Sequence, residues 1–206
     1  MFNFNFLLLT LSILMLSVPA NGTIIQNDKF VPYKIQKGDT LSKLTPKKQW
    51  LLVQKVNKID AYHLRIGQTI LLPCDDTITL QDFNPVPFTL PKMTTNKILI
   101  VYLNIQYFGA YENGTLVFWG PISSGKNGHN TPKGKYQALW RSKKYHSKKY
   151  DNASMPYAIC FSNVGYFLHQ QTLSGKPASH GCVRLLMSDA KMIFDWLEKG
   201  NQIIIK

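Results

Sequence analysis

The run Ala178-Ser179-His180-Gly181-Cys182-Val183-Arg184, with His169 thirteen positions upstream of the cysteine, decides how this 206-residue chain is read. A free thiol has a pKa near about 8.5, so little of it is thiolate at neutral pH. A nucleophilic cysteine therefore needs a neighbour that takes its proton or stabilises the anion, and histidine is the usual one. Gly181 lacks a Cβ and lets the backbone approach a bound substrate closely. The amides around Cys182 can then face the oxygen of a tetrahedral intermediate. A lone cysteine most often reads as a small buried hydrophobe. Here the loop Gly175-Lys176-Pro177 precedes the run and "VRLLMSDAKMIFDWLEKG" follows it. That tail predicts a helix starting at Ser188 or Asp189 and stopping before Gly200. The full constellation is that of a cysteine acyl-transferase.

Two histidines compete for the role of base. His180 adjoins the nucleophile, but neighbours in an extended segment point to opposite faces, which favours His169 and leaves His180 to support the loop or touch substrate. Arg184 lies two positions past Cys182, on the cysteine's face of an extended segment. Its guanidinium either holds a substrate carboxylate bidentately or is solvated or paired with an acidic side chain. If Cys182 and His169 rest as thiolate and imidazolium, activity persists well below pH 8.

The segment "YFLHQQTLSGKPASHGCVRL" resembles the signature of the L,D-transpeptidase catalytic domain, a bacterial peptidoglycan family. "GPISSGKNGHNTPKGKYQALWR", with Thr-Pro-x-Gly at Thr131 to Gly134, and "SMPYAICF" resemble that family's strands. The resemblance covers residues 96–206. It implies Cys182 as the acylated nucleophile, His169 as proton donor and acceptor, and the main-chain carbonyl of Gln170 as the group that orients the imidazole. The family usually has a small residue where Gln170 stands, but a carbonyl is unaffected by that change. Ser179, His180, Gly181 and Arg184 are implied to support the loop, the oxyanion or the substrate. The implied reaction cleaves the L,D bond of a donor stem peptide, releases D-alanine and crosslinks the stem to an acceptor amine, as in cell-wall organisation and the maintenance of cell shape. With water as acceptor the same nucleophile makes an L,D-carboxypeptidase, and with a protein lysine it anchors a protein to peptidoglycan.

Residues 33–73 begin and end with alternating apolar strands, "YKIQ" and "TILLP". Between them Thr40 can cap a short helix, and a second helix is predicted from about Lys47 to Val56, with Pro46 before it and Leu51, Leu52 and Val56 at core spacing. This small βααβ unit resembles the lysin motif (LysM) through "GDTL" at Gly38 to Leu41, Asn57 and "IGQTILLP" at Ile66 to Pro73. The resemblance implies binding of N-acetylglucosamine-containing glycan by Gly38, Asp39 and Thr40, with Ile66, Gly67 and Gln68. Pro46 cuts the first helix shorter than is usual in that family.

Residues 74–95 carry Pro85, Pro87 and Pro91 and read as an extended, semi-rigid linker between independent modules. From Lys97 the pattern is β, with Asn113-Gly114 as a two-residue hairpin turn between "KILIVYLNIQYFGAY" and "TLVFWGPISSG". Strands are expected again near Lys135 to Arg141 and Tyr157 to His169. The fold class is mainly β: a sandwich or barrel-like catalytic domain with a C-terminal helix, preceded by the small α+β unit.

Residues 1–20 lack any formally charged side chain and hold the apolar core "FLLLTLSILML", with Val18 and Ala20 before an expected cleavage site. They read as a signal peptide, with an uncleaved anchor as the alternative, although the apolar run is short for a span of roughly 20 residues. No stable membrane anchor is expected after cleavage, and the protein is expected in the periplasm or cell wall. The segment holds none of the net charge of +13, so the exported part keeps all of it. That charge favours anionic surroundings. Nucleic acid is not indicated, because no Arg-rich helix, zinc spacing or aromatic-basic platform is present. The basic run "WRSKKYHSKKYD", Trp140 to Asp151, reads as a solvated loop beside a strand end. Cys74 and Cys160 are a possible disulfide if Cys182 stays free. The histidines at 63, 129, 146, 169 and 180 lack metal-ligand spacing, so neither metal nor other cofactor is expected. Two readings from other classes remain. A papain-type protease shares the chemistry but orders cysteine before histidine. A non-catalytic glycan-binding envelope protein would rely on the lysin motif alone.

Overall fold

The computed structural model describes residues 28–91 and 95–206, and the expected signal peptide lies outside the described residues. In the N-terminal module β1 (Phe30–Lys34) pairs antiparallel with β2 (Thr69–Pro73), Tyr33 opposite Ile70. Between them lie α1 (Leu41–Leu44), one 3-10 turn (Lys47–Gln49) and α2 (Trp50–Asn57). Pro46 separates the helices for a steric reason. It forces the residue before it into extended backbone, and Thr45 accordingly has φ −156° and ψ 151°. Thr40 does sit at the N-cap of α1, but its hydroxyl meets Ser42 Oγ at 2.9 Å instead of capping a backbone amide. Leu51, expected in the core, is half-buried, while Leu52, Val53 and Val56 are buried.

The catalytic module begins with β3 (Lys97–Tyr102), β4 (Tyr107–Glu112) and β5 (Thr115–Ser123) as successive antiparallel strands. Asn113 and Gly114 both have positive φ, 48° and 82°, the backbone a tight hairpin of this twist requires. There follow β6 (Gly134–Gln137), β7 (Trp140–Ser142), β8 (Ala158–Cys160), β9 (Phe167–Gln170), β10 (Val183–Leu185), α3 (Met187–Trp196) and β11 (Gln202–Ile205). They join one nine-stranded sheet in the order β6-β11-β3-β4-β5-β10-β9-β8-β7. Most neighbours are antiparallel, but β10 runs parallel to β9 and β11 parallel to β3. The mainly β expectation holds. Two details differ: α3 starts one residue before Ser188, and the chain ends on a strand. The short run Ile203–Ile205 has its partners far earlier in the chain, so no local pattern announces it.

Strand alternation sends side chains to two faces, and both are covered. On one face Leu99, Val101, Phe108, Leu168 and Val183 pack under Ile193 and Phe194 of α3. On the other, Ile98, Ile100, Tyr107 and Tyr111 pack against Phe30, Leu52 and Val56 of the N-terminal module and against Ile78, Phe83 and Val86. The last three belong to the segment read as an extended, semi-rigid linker between independent modules. Their apolar side chains pack at the module boundary, so the modules are not independent.

Polar contacts reinforce that boundary. Lys55 of α2 is buried and its ammonium lies 2.9 Å from Asp189 Oδ1 in α3, while also donating to the Trp119 carbonyl. The Tyr107 hydroxyl reaches the carbonyls of Lys55 and Val56 at 3.1 and 3.0 Å. Burial raises the Asp189 pKa and the Lys55 charge opposes that rise. Gly120 makes room for the pair, since a Cβ there would stand 2.2 Å from Asp189 Oδ2.

Candidate active site

Parallel pairing of β9 with β10 sets Val183 opposite Leu168 and Arg184 opposite His169. Val183 and Leu168 are fully buried in the core beneath. Alternation therefore puts Cys182, Arg184, Phe167 and His169 together on the other face. His169 is buried, and its Nδ1 lies 2.8 Å from the Gln170 carbonyl oxygen. A carbonyl can only accept, so Nδ1 carries the proton and Nε2 keeps a free lone pair. Burial is the largest influence on this imidazole. The Gln170 carbonyl opposes it, the Arg184 charge adds to it, and the pKa falls to about 4. Burial also pushes the Cys182 thiol up, against a backbone hydrogen bond from Phe167 and the Arg184 charge. Both shifts favour the neutral forms, thiol and imidazole, over the thiolate–imidazolium alternative, because desolvation disfavours each charge.

The turn before Cys182 is braced from several sides. Ser179 is buried; its hydroxyl donates to the Cys182 carbonyl and accepts from the Gly181 amide at 3.0 Å. Gly181 has φ 110°, and a Cβ there would stand 2.3 Å from the Tyr166 ring. Its glycine is thus demanded by backbone and by Tyr166, not by close substrate approach. The Ala178 and Ser179 amides donate to the Ser124 carbonyl at 2.9 and 3.0 Å. Thr131, from the Thr-Pro-x-Gly segment, holds the adjoining Gly125 amide through its hydroxyl at 2.9 Å.

Cys182 lines two cavities. One, of about 600 Å³, is walled chiefly by apolar groups including Trp140, Tyr145, Met155 and Phe167. The other, of about 340 Å³, is polar and includes His129, Tyr166 and His180. Lys149 and Tyr150 border both, and Tyr150 stacks on His180 with ring centroids 4.9 Å apart. The basic run is exposed over most of its length, as expected of a solvated loop beside β7, but its Lys149 and Tyr150 border the cavities at the cysteine. Sequence reasoning missed Lys149, Tyr150 and Tyr166. His180 is exposed and stacked, away from the role of base. Arg184 is half-buried and, among the described residues, forms no ion pair with an acidic side chain.

All three thiols are free. The expected pairing of Cys74 with Cys160 is not formed: Cys74 is exposed in the N-terminal module and Cys160 is buried in the sheet, bonded to the Ser162 carbonyl. Cys160 and Cys182 stand on opposite sides of β9, about 10 Å apart at two strand spacings. That exceeds disulfide reach.

In the N-terminal module the two loops expected to bind glycan do come together. The Ile35 amide donates to the Gln68 carbonyl and the Gly67 amide to the Ile35 carbonyl, both at 2.8 Å. Gly38 and Gly67 have φ 87° and 81°. Asp39 is spent internally, accepting from the Gln36 amide and the Tyr33 hydroxyl at 2.7 and 3.0 Å. Thr40 is exposed, and Ile66 presents an apolar side chain that is 71% exposed.

Comparison with known proteins places this geometry in a class. Residues 96–205 match the L,D-transpeptidase catalytic domain family (YkuD), and residues 33–73 match the LysM domain family. The chain belongs to the L,D-transpeptidase catalytic domain family and carries a LysM domain in front of that domain. Among solved structures it is similar to an L,D-transpeptidase (Yku) from Stackebrandtia nassauensis, at 28% identity and TM-score 0.52, over 56% of this chain and 58% of that one. It is also similar in fold to an L,D-transpeptidase from Mycobacterium smegmatis, at 20% identity and TM-score 0.50, over 54% and 58%. A third, from Mycobacterium tuberculosis H37Rv, shares 21% identity at TM-score 0.50, over 54% and 57%. The chain thus spans less than two thirds of each of these. No curated protein matches it.

Proposed function

We propose that this protein is an exported L,D-transpeptidase that acts on the stem peptides of peptidoglycan through a thioester on Cys182. One observation carries the reading: the Cys182 thiol, which lines two cavities, shares one face of the sheet with an imidazole whose Nδ1 is held by the Gln170 carbonyl, leaving Nε2 to accept a proton. Cys182 Sγ attacks the carbonyl of the L,D bond before the terminal D-alanine, and the thiol proton passes to His169 Nε2. The Gln170 carbonyl holds the resulting imidazolium by the bond to Nδ1–H. The oxyanion needs donors, and the Gly181 amide is already engaged by Ser179, so the Cys182 amide is the group assigned to it. The intermediate collapses, His169 protonates the departing amine, and D-alanine leaves. An acceptor amine then attacks the thioester, His169 takes its proton, and the Cys182 thiol is restored as the crosslink forms.

The rest of the reading follows from charge and exposure. Arg184, half-buried without an acidic partner, suits a substrate carboxylate. The exposed loop pair at Gly38–Thr40 and Ile66–Gln68 suits a glycan strand, which supports a location at the cell wall. Water or a protein amine can replace the acceptor with the same nucleophile, so acceptor identity is decided by turnover products. The test is intact mass after incubation with a stem tetrapeptide. The expected result is a tripeptide adduct on Cys182 with release of D-alanine, absent from Cys182→Ala. A protein that binds the peptide and never carries the adduct is a glycan- and peptide-binding protein instead.

A further inference from the structure

We infer that Asp60, in the LysM domain, is a positioning residue for the nucleophile and base, through the loop that joins them. Residues 171–176 run from the end of β9, which carries His169, to the turn that carries Cys182. This loop is held by the other module. The Asp60 Oδ2 accepts the Leu173 amide at 2.9 Å, and the Asp60 amide donates to the Leu173 carbonyl at 3.2 Å. The next residues continue as a short ladder: Ile59 bridges Ser174 antiparallel, and the Gly175 amide donates to the Lys58 carbonyl at 3.0 Å. Leu173 and Ile59 are both fully buried at this seam. On its far side the loop is tied to the catalytic sheet, where Ser123 Oγ donates to the Lys176 carbonyl at 2.8 Å.

Asp60 is itself locked. Its Oδ1 accepts the Tyr62 amide at 3.0 Å and faces His63 Nδ1 at 2.5 Å. A carboxylate fixed on one side thus fixes the backbone of the other side. The loop touches the glycan-facing region as well, since a Cβ on Gly175 would stand 3.9 Å from Gln68 Nε2. The LysM domain is thereby part of the scaffold of the active site and not only an attachment device. Small displacements matter there, because acyl transfer demands reacting atoms within a narrow range of distance and direction.

The inference rests on the reading of Cys182 and His169 as an acyl-transfer pair, and its test separates the two. Full-length Asp60→Ala and Asp60→Asn are compared with wild type in three measurements: thermal unfolding, kcat and KM for D-alanine release, and the rate at which p-nitrophenyl acetate acylates each cysteine. The ester acylates any accessible thiol, so exposed Cys74 is an internal control and buried Cys160 reports unfolding. For Asp60→Ala, kcat and Cys182 acylation are expected to fall between about ten- and a hundredfold. KM should stay within about twofold, as for an interaction realised in the transition state. Cys74 should react unchanged. Asp60→Asn keeps an oxygen for the Leu173 amide and should recover most of the loss. Unchanged Cys182 acylation in Asp60→Ala overturns the inference, as does a loss matched by newly reactive Cys160. An equally folded Asp60→Asn as slow as Asp60→Ala overturns it too. A wild type that releases no D-alanine, yet loses Cys182 acylation through Asp60→Ala, overturns the reaction and leaves the positioning role standing.

Discussion

Two buried pairs of titratable groups lie near β10, Cys182 with His169 at its start and Lys55 with Asp189 just beyond its end, and they differ in whether an opposite charge works against burial. Lys55 and Asp189 approach to 2.9 Å across the module boundary as an ion pair. No carboxylate is among the groups that shift Cys182 and His169; the cation Arg184 acts on both and Lys149 on Cys182, and burial drives both toward their neutral forms. A charge taken out of water is tolerated when an opposite charge faces it and is otherwise given up by a pKa shift. The difference separates a pair that holds two modules together from a pair left free to pass a proton.

The largest expected effect breaks the neutral pair. Cys182→Ala should lower D-alanine release by about 10⁴-fold or more, and His169→Ala should come close, the scale on which members of a catalytic unit act. Thermal unfolding of both should stay near wild type. Retention by Cys182→Ala of more than about a tenth of the activity would end the assignment.

Breaking the ionic pair should act on folding. Lys55→Met leaves Asp189 buried without its counter-charge and should cost about 3–5 kcal/mol in urea unfolding. Lys55→Met combined with Asp189→Leu should recover most of that loss. If the single and double variants are equally unstable, the apolar contacts of Phe30, Leu52 and Val56 carry the boundary by themselves.

The third effect follows from the sign of the His169 shift. Its folded-state pKa, about 4, lies below the ordinary 6.5, so the unfolded chain binds the proton first as pH falls. Stability is therefore full above about pH 6.5 and declines down to about pH 4, by about 3 kcal/mol in all. Urea unfolding of His169→Gln should show a flatter profile in that window. The acid limb of kcat/KM should likewise persist to near pH 5, whereas a rate climbing steadily to about pH 9 is the signature of an unassisted thiol.

The smallest effect tests the cation beside the neutral pair. Arg184→Gln removes a positive charge that lowers the His169 pKa, so the acid limb of kcat/KM should move to higher pH. The same change should weaken discrimination between stems with and without a free carboxylate at the donor end. A limb that does not move means Arg184 faces substrate alone.

Much of the site was legible because its chemistry is compressed into one short stretch. The Ser-His-Gly-Cys run put forward Cys182 as candidate nucleophile and His169 upstream as candidate base, and the fold sets their segments side by side, with β10 parallel to β9. The hairpin at Asn113-Gly114 was legible for a similar reason, since two consecutive residues of positive φ need particular side chains. The resemblance to the lysin motif implied that the loops at Gly38–Thr40 and Ile66–Gln68 share one surface, and backbone hydrogen bonds through Ile35 bring them together. Less legible were features built from distant segments. The reading of residues 74–95 as an extended, semi-rigid linker followed from their prolines, but Ile78, Phe83 and Val86 found an apolar sheet face that only folding creates. Lys149 and Tyr150 are exposed, as a solvated run would be, and only the fold brings them beside Cys182.

The amino-acid sequence by itself determined the order of the two modules, the strand-rich pattern and the candidate pair Cys182 and His169, because each is set by local periodicity or by side-chain chemistry within a few residues. Tertiary structure alone decided the direction in which both groups are shifted, since desolvation depends on every element packed around His169 and Cys182. It alone decided the ion pair that ties Lys55 of α2 to Asp189 of α3 and the grip of Asp60 on the loop at Leu173. These contacts join residues far apart in the chain, and their strength comes from exclusion of water, which no local pattern records.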